Sequence, residues 1–127
     1  MSDMMVLVVE PGRVPYTKSI PSSLASLQQE VGGYIQVFYP WDDPCAIICD
    51  EEGKLKNKVL NRTLRDEDEH VYDVIAGTFL IVGLSEENFT SLPEEYIRRY
   101  SELFATPELF MRVGNKLLVL SGGDWNG

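Results

Sequence analysis

The amino-acid sequence predicts an α+β fold: a mixed, mainly antiparallel sheet with two principal helices packed on one face. Short apolar runs rich in β-type residues recur along the chain, each bounded by Pro, Gly or an acidic turn. Two other segments repeat apolar side chains at three and four residues, the helical spacing. The resulting order of strands, helix, strands, helix and strand is that of helices segregated to one face of an antiparallel sheet. A length of 127 residues with 44% hydrophobic content suits one core and leaves too little chain for a second. Residues 1–121 are therefore read as a single α+β domain, and 122–127, with Gly122, Gly123 and Gly127, as a flexible tail.

Met4 to Glu10 is an apolar β-rich run ended by Pro11-Gly12, the first core strand. Val14 to Ile20, between two prolines, is a short extended piece at a sheet edge. Ser22 or Ser23 caps a helix in which Leu24, Leu27 and Val31 share a face and Gly32 supplies a left-handed stop. Gly33 to Tyr39 is extended, and the loop Trp41-Asp42-Asp43-Pro44 turns it back into a buried strand from Cys45 to Cys49. Asp50-Glu51-Glu52-Gly53 is turn chemistry, Lys54 to Asn61 a loop or short strand, and Leu60 to Leu64 one helical turn. Val71 to Ile75 and Thr78 to Val82 are strands interrupted at Gly77. Ser91 as N-cap with Glu94 in the capping-box position starts a helix carrying the stripe Tyr96, Ile97, Tyr100, Leu103 and Phe104. Thr106-Pro107-Glu108 starts another helical turn, and Lys116 to Leu120 closes the sheet.

Several function classes lose support on composition. Cys45 and Cys49, four apart on one strand, lie roughly 13 Å from each other at about 3.3 Å per residue, beyond disulfide reach, and read as small core residues. No stretch approaches the ~18 apolar residues that cross a bilayer, and Met1 to Glu10 lacks a basic lead before a cleavage site, so a cytoplasmic protein without membrane contact is expected. Twenty acids against 11 bases give a net charge of −9, which opposes general nucleic-acid binding and suits a basic protein partner, or serves solubility alone. His70, the single histidine, stands beside Asp68 and Glu69 and reads as a solvated loop residue, so no catalytic centre is assigned. Two cysteines on one strand and one histidine fall short of a zinc set, and the acidic turns lack the calcium-loop register; no metal and no cofactor is expected. Neither a Walker loop nor a dinucleotide fingerprint is present, because Gly32-Gly33 is followed by a strand.

One charge pattern stands apart. Lys54, Lys56, Lys58, Arg62 and Arg65 are five of the 11 bases within twelve positions, with no acid among them. Such a segment can hold a small anion, with Asn57, Asn61 and Thr63 adding hydrogen bonds. The plainer alternative is that these bases pair with the acidic runs on either side, Asp50 to Glu52 and Asp66 to Glu69. Tyr34, Tyr39 and Trp41 are candidates for stacking on a base or anchoring a protein.

Four motifs in order, Val31-Gly32-Gly33-Tyr34-Ile35, Asp50-Glu51-Glu52-Gly53-Lys54-Leu55, Leu60-Asn61-Arg62 and Asp73-Val74-Ile75-Ala76-Gly77-Thr78, resemble those of the domain of unknown function 3846 family. The resemblance runs from about Val6 to Val82, with Gln36 where the family usually has Glu and Asp50 where it usually has Asn. It implies an accessory protein of bacteriophages and other mobile elements, and no established reaction. Its polar motif residues add Thr78 to the candidate ligand-binding set: Tyr34, Lys54, Lys56, Asn61, Arg62, Arg65 and Thr78.

Two binding functions are expected ahead of an enzyme. One is sequestration of a small anionic ligand, such as a cyclic-nucleotide immune signal, by a sponge that forms a homo-oligomer. The other is inhibition of a basic host defence protein by acidic runs that imitate nucleic-acid charge.

Overall fold

The strands at the centre of the sheet are apolar on both of their faces, and that decides the architecture. The computed structural model describes residues 2–121. In chain order the elements are β1 (Asp3–Val9), β2 (Tyr16–Pro21), α1 (Leu24–Val31), β3 (Ile35–Phe38), β4 (Cys45–Asp50), β5 (Leu60–Arg65), β6 (Val71–Ala76), β7 (Phe79–Leu84), β8 (Phe89–Thr90), α2 (Glu94–Leu103), β9 (Glu108–Val113) and β10 (Lys116–Ser121). The main sheet has the order β2-β1-β7-β4-β3, with β8 added on β7. All of its pairings are antiparallel, so the fold is α+β as expected but without the parallel pairs of a mixed sheet.

Alternate residues of β1, β4 and β7 sort into two separate cores. Leu7, Val9, Cys45, Ile47, Cys49, Phe79 and Ile81 line one face and meet Tyr100 and Phe104 together with Leu64 and Ile75 of the β5-β6 hairpin. Met4, Val6, Val8, Ala46, Ile48, Leu80 and Val82 line the other and meet Leu27 and Val31 of α1. The helices thus sit on opposite faces, not on one. A strand buried on both sides shows a continuous apolar run rather than alternation, and the runs Val6–Val9 and Cys45–Ile48 carried that signal. One face-covering helix would have left the other set in water.

Local chemistry explains most boundaries. The Ser23 hydroxyl accepts from the Ser26 N–H at the start of α1, and Gly32 ends it at φ 79° with its N–H on the Gln28 carbonyl. β2 and β3 occupy the two edges of the sheet. Four expectations of local structure fail. Leu60–Arg65 is a strand paired with β6 rather than a helical turn, with register shifts at both ends. Residues 108–113 form β9 rather than a helical turn, and β10 pairs with β9 instead of closing the main sheet. The two-residue Gly114-Asn115 connection, with Gly114 at φ 61°, is the hairpin signature that marks this pair. Finally, α2 begins at Glu94 behind Pro93 without a side-chain cap, because the Ser91 hydroxyl accepts from the Met5 N–H of β1 instead. The Leu103 of the expected stripe is exposed, while Tyr100 and Phe104 are buried. The expected flexible tail, 122–127, lies outside the described residues.

Candidate functional site

The basic segment folds onto the chain's own acids and carbonyls. Lys56 and Lys58 place their ammonium groups 2.9 and 2.7 Å from one oxygen of Asp50, the last residue of β4. The other Asp50 oxygen accepts the Glu52 N–H at 2.9 Å, which closes the acidic turn. Lys58 also donates to the Val31 carbonyl at 2.8 Å, and both lysines reach the Gly32 carbonyl at 3.3 Å. The two cations therefore bind a buried carboxylate and the C-terminal carbonyls of α1 together, where the helix dipole favours positive charge. Burial would raise the Asp50 carboxyl, but the hydrogen bonds from Lys58, Lys56 and the Glu52 N–H outweigh it and hold the group at about 2.

This knot accounts for the glycines of the motifs around it. A side chain at Gly33 would place a Cβ 2.7 Å from the Asp50 carboxyl carbon and 2.7 Å from the Lys56 Nζ, and one at Gly77, at φ 82°, would strike Lys58. At Gly53 it would meet the Ala76 carbonyl oxygen at 2.8 Å. Close approach of backbone, to the Asp50–lysine knot at Gly33 and Gly77 and to the Ala76 carbonyl at Gly53, is what these positions require.

Asn61 and Arg62 lie in the interior. Asn61 donates to the Val9 and Gly77 carbonyls, both at 2.8 Å, and so ties β5 to the ends of β1 and β6. Its side-chain oxygen accepts from Arg62 at 2.7 Å. Arg62 is fully buried and directs its guanidinium to the Phe104 carbonyl (3.0 and 3.3 Å), the Arg13 carbonyl (2.6 Å) and the Asn61 carbonyl (3.3 Å). No carboxylate faces it at salt-bridge distance among the described residues, and burial pushes its pKa down from the usual arginine value. Arg62 thus pins the end of α2 and the β1-β2 loop to β5.

The remaining candidates disperse. Lys54 pairs with Asp73 at 2.7 Å on the surface. Arg65 bonds Thr63 Oγ1 at 3.2 Å and the Glu69 carbonyl at 3.2 Å. Tyr34 is 69% exposed, with its carbonyl accepting the Glu51 N–H beside the Asp50 knot, and Thr78 is half-buried next to Gly77. The structure brings Lys56, Lys58 and Asp50 together, and Asn61 with Arg62, but it does not gather the seven candidates into one pocket. The acidic flank that the plainer reading invoked supplies the partner in Asp50, while Asp73 was not anticipated.

Concavities among the described residues include three of about 640, 550 and 170 Å³. The largest of these three, between the start of β1, the start of α1 and the β7-β8 turn, is lined by Ser2, Asp3, Ser22, Ser23, Asn88 and Thr90 among others. The second, between α2, β5-β6 and the β3-β4 loop, contains Trp41, Tyr72 and Arg65 together with Asp66, Glu69 and Glu108. The third has Lys54 beside Asp50, Glu51 and Asp73. Each is lined by more acids than bases. Trp41 is half-buried and stacked on Tyr100 at 4.0 Å, so its indole is a wall of the second concavity and not a free anchor. Tyr100 in turn donates its hydroxyl to Asp43, which Arg99 also grips; the Tyr100 contact is the leading cause of the lowered Asp43 carboxyl.

The thiols of Cys45 and Cys49 are free, buried in the same core, and pushed up to about 11 by that burial. His70 is exposed on the β5-β6 loop, where Asp66 accepts the Asp68 and His70 N–H groups at 2.9 Å and shapes the turn. No helix among the described residues is long and apolar enough to cross a membrane.

A family model described as a domain of unknown function, DUF3846, matches residues 4–105. No curated protein and no solved structure matches the chain.

Proposed function

The chain belongs to the DUF3846 family, which assigns no chemistry, and from its surface we propose a non-catalytic, mobile-element accessory protein that docks on a basic host protein. In this reading it works in the host cytoplasm, and its acidic runs imitate the charge of a nucleic acid. The observation that carries it is the fate of the bases. Lys54 pairs with Asp73, Lys56 and Lys58 share Asp50, and Arg62 is sealed in the core. Glu51, Glu52 and the run Asp66 to Glu69 stay exposed on either side. Six exposed acids in the loops before and after β5 therefore face solvent in a chain whose net charge is −9.

Crosslinking in host lysate, with identification of the captured proteins, tests the proposal. The expected partners are basic, are lost as salt rises, and disappear when Glu51, Glu52, Asp66, Glu67, Asp68 and Glu69 are replaced by Gln or Asn. Capture that is indifferent to both changes overturns it.

A second reading keeps the ligand sponge, and its support is the 550 Å³ concavity, which is of ligand size and combines Trp41, Tyr72 and Arg65. Its acids weigh against an anion. Calorimetric titration with cyclic dinucleotides separates the two readings: saturable heat abolished by Arg65→Ala favours the sponge, and a flat titration removes it.

A further inference from the structure

The turn between β5 and β6 gathers metal-ligating side chains of two kinds, carboxylate and imidazole. Asp66, Asp68 and His70 alternate through it, all three exposed, and each offers one ligand atom within 4.8 Å of the others. Asp66 organises the set. Its Oδ1 accepts the N–H groups of Asp68 and His70, both at 2.9 Å, while its own N–H donates to the His70 carbonyl at 2.9 Å and its carbonyl accepts the Glu69 N–H at 3.0 Å. Oδ2 lies 3.7 Å from Nδ1 of His70, the chain's single histidine.

That separation is too long for a hydrogen bond and close to what one shared ion imposes, since two bonds of about 2.1 Å at a tetrahedral angle hold their ligand atoms roughly 3.4 Å apart. The Asp68 carboxylate, on a solvated side chain, closes the remaining distance by rotation about its own bonds. Charge points the same way. At the other acidic turn two lysines grip Asp50, whereas none of the four carboxylates from Asp66 to Glu69 pairs with a lysine or arginine among the described residues. Arg65, next to them, gives its guanidinium to Thr63 Oγ1 and the Glu69 carbonyl instead.

We infer that this turn is a divalent-metal site, with Asp66 Oδ2, the Asp68 carboxylate and His70 Nδ1 as ligands and an ion of the Zn²⁺ kind as occupant. The donor set selects the ion. Ca²⁺ and Mg²⁺ take oxygen ligands, whereas an imidazole beside carboxylates suits borderline ions such as Zn²⁺. Neither pattern weighed from the sequence, a cysteine-bearing zinc set or a calcium loop, covers carboxylates and an imidazole at alternate positions of a turn. Water completes the coordination, and the exposure of all three ligands makes the ion exchangeable. A bound ion cancels half of the charge on this run of four acids and braces the β5-β6 turn; neither effect depends on the docking proposed above.

Calorimetric titration of the full chain with Zn²⁺ tests the inference, with Co²⁺ as an absorbing substitute and thermal melting as the folding control. Saturable binding of one ion per chain is expected, and Ca²⁺ at the same concentrations should give no comparable heat. His70→Ala and Asp68→Asn, both at exposed side chains, should melt like the parent and each weaken Zn²⁺ at least about tenfold. Glu67→Gln removes the same charge as Asp68→Asn without removing a ligand, and should leave binding within about twofold. Absence of saturable Zn²⁺ binding overturns the inference. So does binding that survives His70→Ala, or that Glu67→Gln weakens as much as Asp68→Asn, because either result marks diffuse attraction to an acidic surface. An intense thiolate band on adding Co²⁺ overturns it as well, by placing the ion on Cys45 or Cys49.

Discussion

Replacing Arg62 by Met keeps much of the side-chain volume and removes every donor, which isolates what the guanidinium does. The side chain is fully buried and bonds the carbonyls of Phe104, Arg13 and Asn61 and the Asn61 side-chain oxygen. Two of these acceptors, Phe104 O and Arg13 O, belong to distant segments, and each buried orphan costs about 1–3 kcal/mol. The removed charge itself was buried without a carboxylate, so its desolvation cost is recovered in part. The expected net loss is about 2–4 kcal/mol, or roughly 8–16 °C in Tm for a chain of this size. Arg62→Lys should recover less than half of that, because one ammonium cannot span both carbonyls. Urea unfolding followed by circular dichroism measures the difference. A destabilisation below about 1 kcal/mol for Arg62→Met would refute the structural assignment, and loss of ligand binding at unchanged stability would return Arg62 to a binding role.

Three further outcomes follow from the same geometry. Asp50 has its carboxyl held at about 2 against an ordinary 3.8; a depressed carboxyl contributes stability that is complete above the unfolded value and is lost as pH falls through the folded one. With the two lysines partly open to water the contribution is about 1–2 kcal/mol, so acid unfolding between pH 4 and 2 should be shallower in Asp50→Asn, and an unchanged acid profile would count against the knot. Because burial pushes Cys45 and Cys49 up to about 11, the native protein should resist a maleimide at neutral pH and label at both positions in denaturant; rapid native labelling would contradict the core placement. Gly83→Ala would drive a Cβ into the Ser91 carbonyl and meet Thr90 Cγ2 at 3.2 Å, so it should lower stability by about 1–3 kcal/mol and loosen β8 first, as hydrogen exchange of residues 89–92 would report.

The local signals were largely legible in the residues. Gly32 after Val31 stops α1, Ser23 caps it, prolines confine β2 to an edge, and the stripe Tyr96, Ile97, Tyr100 and Phe104 turns α2 towards the sheet. Those features depend on neighbours a few positions away, and side-chain spacing reports them directly. The family motifs were also visible as residues, but their meaning was not. Asn61-Arg62 reads on the page as a polar loop pair and is in fact sealed under Phe104, because only the folded chain brings the carbonyls of Val9, Arg13, Gly77 and Phe104 within reach.

The acid excess, the clustering of five bases between Lys54 and Arg65, and the absence of a nucleophile or phosphate-loop motif were determined by the sequence alone, since they are properties of composition and order. What each charge faces was decided by tertiary structure. Asp50 and Asp73 are 4 and 19 residues from Lys54, yet the distant one takes its ammonium. Helices that seemed to share one face divide between two, because β1, β4 and β7 are apolar at both parities and each side must be shielded from water. Charge pairing and face selection depend on distances through space that chain order does not specify, and for that reason a segment that looks like an anion site on paper becomes the fastening between α1, β4 and β6.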